Sequence, residues 1–196
     1  MLFRASDVQD WGVPVVQQAT ALQLPIEGLE CFLSKRTQTL QEVMPELKPG
    51  FVTLFASAGL WSMHDLLFWI LDKTGPARVV SATWSITDEP ATQVARRLHE
   101  GIITELHFLF DVRVKIRSEK VYTFVKHQAA TCRLSACHAK AFVVENDSWS
   151  VAVVGSANFT NNPRIESGVL LVSREAAEFT RSWIMAEIQK GHPFDE

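Results

Sequence analysis

Cysteine is scarce in this chain of 196 residues. There are three, Cys31, Cys132 and Cys137, too few for a disulfide framework and without a Cys-x-x-Cys pair for zinc. A reduced, cytoplasmic setting is the expectation, and residues 1–7 lack the charged start and apolar run of a signal peptide. Long hydrophobic runs are missing too. The longest, residues 66–71, is too short to span a bilayer and is closed at both ends by Asp65 and Asp72, so no membrane partner is expected. Nine glycines and eight prolines leave no room for a collagen-like or low-complexity segment. A net charge of −3 excludes a protein that binds polyanions through its overall charge. With 47% hydrophobic residues, the chain can bury a substantial core.

Apolar runs and helix signals alternate from Phe51 onward. Residues 52–56, 79–84 and 102–110 read as strands. Between them, Ser62 with Asp65 opens a helix stopped by Gly75-Pro76, and Thr87 or Asp88 with Pro90 opens another that runs to Glu100. Such crossovers imply an α/β fold with a mixed, largely parallel central sheet and helices on both faces. Closely spaced strands follow over residues 137–144, 151–154 and 168–172, the first two joined by Asn146-Asp147-Ser148, and an amphipathic helix spans 174–190. Before Phe51 a helix over 29–44 is expected, broken upstream by Pro14 and Pro25. The chain thus divides into an extension, 1–50, with room for a protein-partner element, and a domain, 51–196. The six tryptophans, Trp84 and Trp183 among them, read as core and interface mass, and Cys132 and Cys137 as small buried residues.

Charge is unevenly placed. From Asp111 to Lys140, seven basic residues face two acidic ones, Asp111 and Glu119. Arg113, Lys115, Arg117, Lys120, Lys126 and Arg133 could offer a polyanion a local attractive field, or could form no more than a solvated basic face. This stretch leads into His138-Ala139-Lys140, which as strand residues two apart would point their side chains to one face. The next strand ends in Gly155-Ser156-Ala157-Asn158, and Asn162, Arg164 and Glu166 follow. An imidazole, an ammonium, a hydroxyl, an amide and a carboxylate together suit chemistry at a phosphate. No carboxylate cluster or His/Cys set has metal-ligand spacing, so neither metal nor cofactor is expected.

His-x-Lys followed by Gly-Ser-x-Asn and a downstream Glu resembles the signature of the phospholipase D superfamily, closely over residues 137–172. The family's Asp after the Lys falls at Glu145 here, with Asp147 two residues on; that acid looks structural in the family. The motif occurs once, since His64, His99, His107 and His127 lack a Lys at the second position. Single-motif members resemble bacterial nucleases that dimerise, each chain giving half of one active site.

The resemblance implies a metal-independent phosphodiesterase, a nuclease acting on DNA or RNA through a phosphohistidine, in a site shared across a homodimer. His138 would be nucleophile in one chain and acid in the other. Lys140 and Asn158 would hold the nonbridging oxygens, Ser156 would be a further donor, and Glu166 would fix the His138 tautomer. The alternatives are a catalytically idle dimerisation or nucleic-acid-binding module in a larger phage or defence assembly, and a phospholipid hydrolase.

Overall fold

Uninterrupted apolar runs become strands here because both faces of the sheet are covered. The computed structural model describes residues 26–33, 39–57, 59, 61–161 and 163–190. The strands are β1 (Gly28–Leu33), β2 (Phe51–Ser57), β3 (Ala77–Thr83), β4 (Ile103–Asp111), β5 (Thr131–Ser135), β6 (Ala141–Glu145), β7 (Ser150–Gly155) and β8 (Glu166–Val172). The helices are α1 (Leu40–Val43), α2 (Met63–Thr74), α3 (Asp88–His99), α4 (Arg113–Arg117), α5 (Glu119–Gln128) and α6 (Arg174–Lys190).

Alternate residues of each central strand go to opposite layers. Val79, Phe108, Phe142, Val144 and Val153 pack with α2, α3 and α5 through Leu66, Ile70, Val94 and Val125. On the other face Val80, Ala82 and Leu109 meet Ile184 and Ile188 of α6, while Val143 and Ala152 meet Ala176 and Ala177. The apolar α2 is buried over most of its circumference, as its composition requires. Its start is fixed by Asp65, which accepts the Ser62 N–H at 2.8 Å. Gly75 and Gly101, at φ 77° and 74°, turn the chain out of α2 and α3.

The eight strands are ordered β1-β2-β8-β7-β6-β3-β4-β5. This is the mixed sheet with helices on both faces that the sequence implied, with a smaller parallel share. β1·β2, β3·β4 and β4·β5 are parallel, and the four pairings from β2 through β8, β7 and β6 to β3 are antiparallel. The antiparallel β6·β7 pairing follows from the turn between them, where Asn146 Oδ1 accepts from the N–H groups of Ser148 and Trp149. So tight a turn leaves no length for a crossover helix.

The helix expected over 29–44 is not formed. Strand β1 and the one-turn α1 stand there, with 34–38 outside the described residues. Tertiary pairing overrides the local pattern, because the β1 backbone completes the hydrogen bonding of β2 from Gly28 opposite Phe51 to Leu33 opposite Ala56. Residues 28–33 therefore share the sheet with the domain expected from residue 51. Of the extension, 1–50, expected to have room for a partner element, residues 1–25 and 34–38 lie outside the described residues, as does Asn162. The basic stretch holds α4, α5 and β5, which the sequence reading left undivided.

The registers bring the ends of β2 (Ser57), β3 (Thr83), β4 (Asp111), β5 (Ser135) and β7 (Gly155), and the starts of β6 (Ala141) and β8 (Glu166), to one edge of the sheet. Among the described residues no helix is long and apolar enough to cross a membrane.

Candidate active site

All five residues of the His/Lys/Ser/Asn/Glu set lie along that edge. His138 and Lys140 do not sit within a strand, contrary to the sequence reading. They occupy the irregular segment that leads into β6, which starts at Ala141. The ladder ends there because Ala141 is the last β6 residue paired with β3 and β7. One further bond, Gly155 N–H to the Lys140 carbonyl at 2.9 Å, holds the segment against β7.

The His138 and Lys140 side chains nevertheless meet. Lys140 Nζ is 3.1 Å from Nδ1 and 3.2 Å from Nε2 of His138, and donates to the His138 carbonyl at 2.8 Å. His138 is exposed while Lys140 is buried. Burial is the main cause that lowers the Lys140 pKa from the ordinary lysine value. The Cys137 thiolate, where it forms at high pH, and the charges of Glu166 and Asp111 oppose that shift, and Arg113 adds to it.

Ser156 follows directly on β7. Its hydroxyl donates to Glu166 Oε2 and accepts the Ser167 N–H at 3.0 Å, so Ser156 is fixed between the first two residues of β8. The expected bond from Glu166 to His138 is absent among the described residues; the Glu166 carboxylate is engaged by Ser156 and acts on Lys140 through its field. Asn158 Oδ1 lies 3.5 Å from Thr83 Oγ1 at the end of β3. Its position is set by the buried Phe159, whose backbone bonds to Ser85 and Thr87 and whose ring meets Phe108 and Phe142 edge-on.

Glycine is required where β7 and β8 approach. A Cβ on Gly168 would stand 2.5 Å from the Phe55 ring and 2.7 Å from the Val154 carbonyl oxygen. Glu145 is at the other end of β6. It bridges Arg78 at 2.9 Å and Arg181 at 3.1 Å, tying β6 to β3 and α6. Its place in the fold is structural.

Two of the six basic residues reach the site, through a residue the sequence reading assigned to the core. Trp84, just past β3, meets the His138 ring edge-on at 5.5 Å, with Lys140 Nζ 5.8 Å from its centroid. Arg113 and Arg117 approach the same indole at 5.0 and 5.1 Å. Their spacing of four residues on a helix was the available signal. Arg113 is also bound through Nε and Nη2 to the buried Asp111, at 2.5 and 3.1 Å, which raises its pKa. Lys115 is on α4, Lys120 and Lys126 are on α5 with Lys126 against Tyr122, and Arg133 is on the edge strand β5, bonded to the Cys132 carbonyl. Burial raises the Cys137 pKa, which keeps the thiol protonated and unsuited to nucleophilic attack. No group of three or more His, Cys, Asp or Glu among the described residues could hold a metal ion.

No protein-family model and no curated protein sequence matches the chain. Solved structures do. Nuc, a phospholipase D family member from Salmonella typhimurium, is 15% identical over 72% of this chain and 95% of its own, with a TM-score of 0.56. The fold is thus phospholipase D-like. TrmBL2, an archaeal chromatin protein described as having a novel mode of DNA binding, is 8% identical over 71% of this chain and 53% of its own, with a TM-score of 0.49. A polyphosphate kinase from Porphyromonas gingivalis is 12% identical over 67% and 22%, with a TM-score of 0.45. The last two scores are too low to argue from.

Proposed function

We propose that the chain is a metal-independent phosphodiesterase, a nuclease, whose active site is completed by a second copy of itself. The observation that carries this reading is the His138–Lys140 pair, an exposed imidazole with a buried ammonium 3.1 and 3.2 Å from its two nitrogens. A phosphate brought to His138 meets Lys140 at once, and Lys140 is buried enough for its charge to count.

The chemistry needs two imidazoles. The neutral His138 of one chain attacks phosphorus, forming a P–N bond as the bond to the leaving oxygen breaks. The second copy's His138, as imidazolium, gives its proton to that oxygen. Now neutral, it takes a proton from water as the water oxygen attacks phosphorus, and the P–N bond breaks to return the first imidazole. Lys140 and Asn158 hold the nonbridging oxygens. Glu166 positions Ser156 and helps keep Lys140 charged. With a single His-x-Lys per chain, a two-fold axis near His138 supplies both imidazoles. Val154, just before Gly155, and Ile165, just before Glu166, are exposed apolar residues on this rim and support burial against a partner.

Three measurements test the reading. Oligonucleotide cleavage should persist in excess chelator and weaken at high salt. Sedimentation should give a species near twice the 22.0 kDa chain. A phosphatidylcholine assay run alongside should be negative. Activity abolished by chelator and restored by magnesium, or a strict monomer, contradicts the proposal. Oligonucleotide binding without cleavage would favour the binding-module alternative.

A further inference from the structure

Four positively charged or chargeable groups surround one indole. Trp84 has His138 against its edge at 5.5 Å and Lys140, Arg113 and Arg117 at 5.8, 5.0 and 5.1 Å. The Trp84 Nε1 is buried and has no hydrogen-bond partner among the described residues, so packing rather than an N–H bond holds the ring there. Cations crowded this closely repel one another, and Arg113 already presses the Lys140 pKa down. Such a cluster is stable when it has an anion to bind.

The three side-chain cations are not equivalent. Lys140 belongs to His138. Arg113 is committed to Asp111 by two side-chain bonds. Arg117 is exposed and forms no ion pair among the described residues; it lies over the Trp84 ring. That distinction decides what Arg117 can do. A carboxylate would neutralise the guanidinium and occupy its donors. An aromatic face attracts it through the ring quadrupole and leaves both the charge and the N–H fork free. Trp84 therefore holds Arg117 in place without consuming it.

We propose that Arg117, held over Trp84, forms a second phosphate subsite that takes the phosphate next to the scissile one on a polynucleotide strand. The proposal rests on the reading of His138 and Lys140 as the reacting centre and deepens it to a substrate class. Lys140 and Arg117 each lie within 6 Å of one ring centroid, a span that neighbouring phosphates of a strand can bridge. Phosphatidylcholine carries one phosphodiester and has no second phosphate to offer Arg117. A polynucleotide supplies a second phosphate at every position, and the planar fork of arginine suits phosphate oxygens. Trp84 is a positioning residue here, with its faces given to arginines rather than to bases.

The test is calorimetric and uses the full chain carrying His138→Ala, so that no probe turns over. The probes are a thymidine dinucleotide with one internucleotide phosphate and a trinucleotide with two. The two-phosphate probe should bind about tenfold more tightly. Adding Arg117→Ala should reduce that advantage to within about twofold and flatten the salt dependence by about 0.7 in log Kd per log salt, one single-strand phosphate contact. Trp84→Phe should keep most of the advantage and Trp84→Leu should lose it. Arg117→Glu, on an exposed surface, guards against a folding artefact and should make the second phosphate a disadvantage. If Arg117→Ala weakens both probes equally, or leaves the advantage intact, the subsite is refuted. An Arg117-dependent advantage in a protein whose wild type cleaves nothing would sustain the subsite and sink the nuclease reading. Cleavage with no Arg117-dependent advantage would do the reverse.

Discussion

Ser156 and Glu166 are joined across the ends of β7 and β8, the serine hydroxyl donating to the carboxylate while it accepts the Ser167 N–H. The carboxylate thereby acts through Ser156 and through its field on Lys140 rather than by holding the imidazole.

Their coupling is measurable. Glu166→Gln should cost about one to two orders of magnitude in kcat/KM, about what losing one charge-assisted hydrogen bond contributes. In the Glu166→Gln background, Ser156→Ala should cost much less than it does alone, because its acceptor is already weakened. A double-mutant cycle on a chromogenic phosphodiester checks this, and strict additivity would show that the two residues act independently.

Lys140 is held charged against burial, and the sign of that effect sets two outcomes. Its pKa is lowered on folding, so activity should fall with rising pH at a lower pH than the ordinary lysine value of about 10.4 would give. The same shift destabilises the fold in full at pH values below the folded pKa, and the penalty shrinks as pH rises from there and is gone only above the unfolded value of about 10.4. Lys140→Met should therefore abolish turnover and raise the Tm at neutral pH, with the gain shrinking toward alkaline pH. A lowered Tm would contradict the role of burial.

Glu145→Gln should separate structure from chemistry. Arg78 and Arg181 lose the negative charge they share at the far end of β6. Stability should fall by about 1–2 kcal/mol, the modest side of what charge-assisted bonds contribute, since both arginines are partly solvated. Activity on the folded protein should stay within about twofold. Denaturant unfolding beside a rate measurement decides it.

Gly168→Ala places a methyl group against the Val154 carbonyl, which is backbone and cannot rotate away. The expected cost is about 1–3 kcal/mol, typical of overpacking, with β7 and β8 pushed apart. Because Ser156 and Glu166 stand at the ends of those strands, activity should drop more than the Tm alone would suggest.

The sequence was most legible where one physical signal dominated. Residues 174–190 were read as a helix and form α6 over that span, because the amphipathic pattern is long and Ser173, whose hydroxyl accepts the Ala176 N–H, starts it. The buried strands β3, β4 and β7 were found as apolar runs. β1 was misread because Leu29, Phe32 and Leu33 are spaced as on a helix, and only pairing with β2 decides their conformation. α5 was passed over as part of a charged stretch although Val121, Tyr122 and Val125 carry helical spacing. The five candidate residues, His138, Lys140, Ser156, Asn158 and Glu166, which the fold brings to one edge of the sheet, stood out as a motif. What was not legible was its surroundings, because nothing local tells a core tryptophan from Trp84, which acquires its role from Arg113 and Arg117 thirty residues away.

The shared site is the central claim, and mixed dimers test it most directly. One wild-type chain paired with one His138→Ala chain, each carrying a different affinity tag so that only the heterodimer is recovered, holds a single imidazole. It should form a phosphohistidine on an activated substrate yet show no turnover above the His138→Ala homodimer. Retention of half the wild-type turnover would mean that each chain contains a complete site, and the account would be wrong.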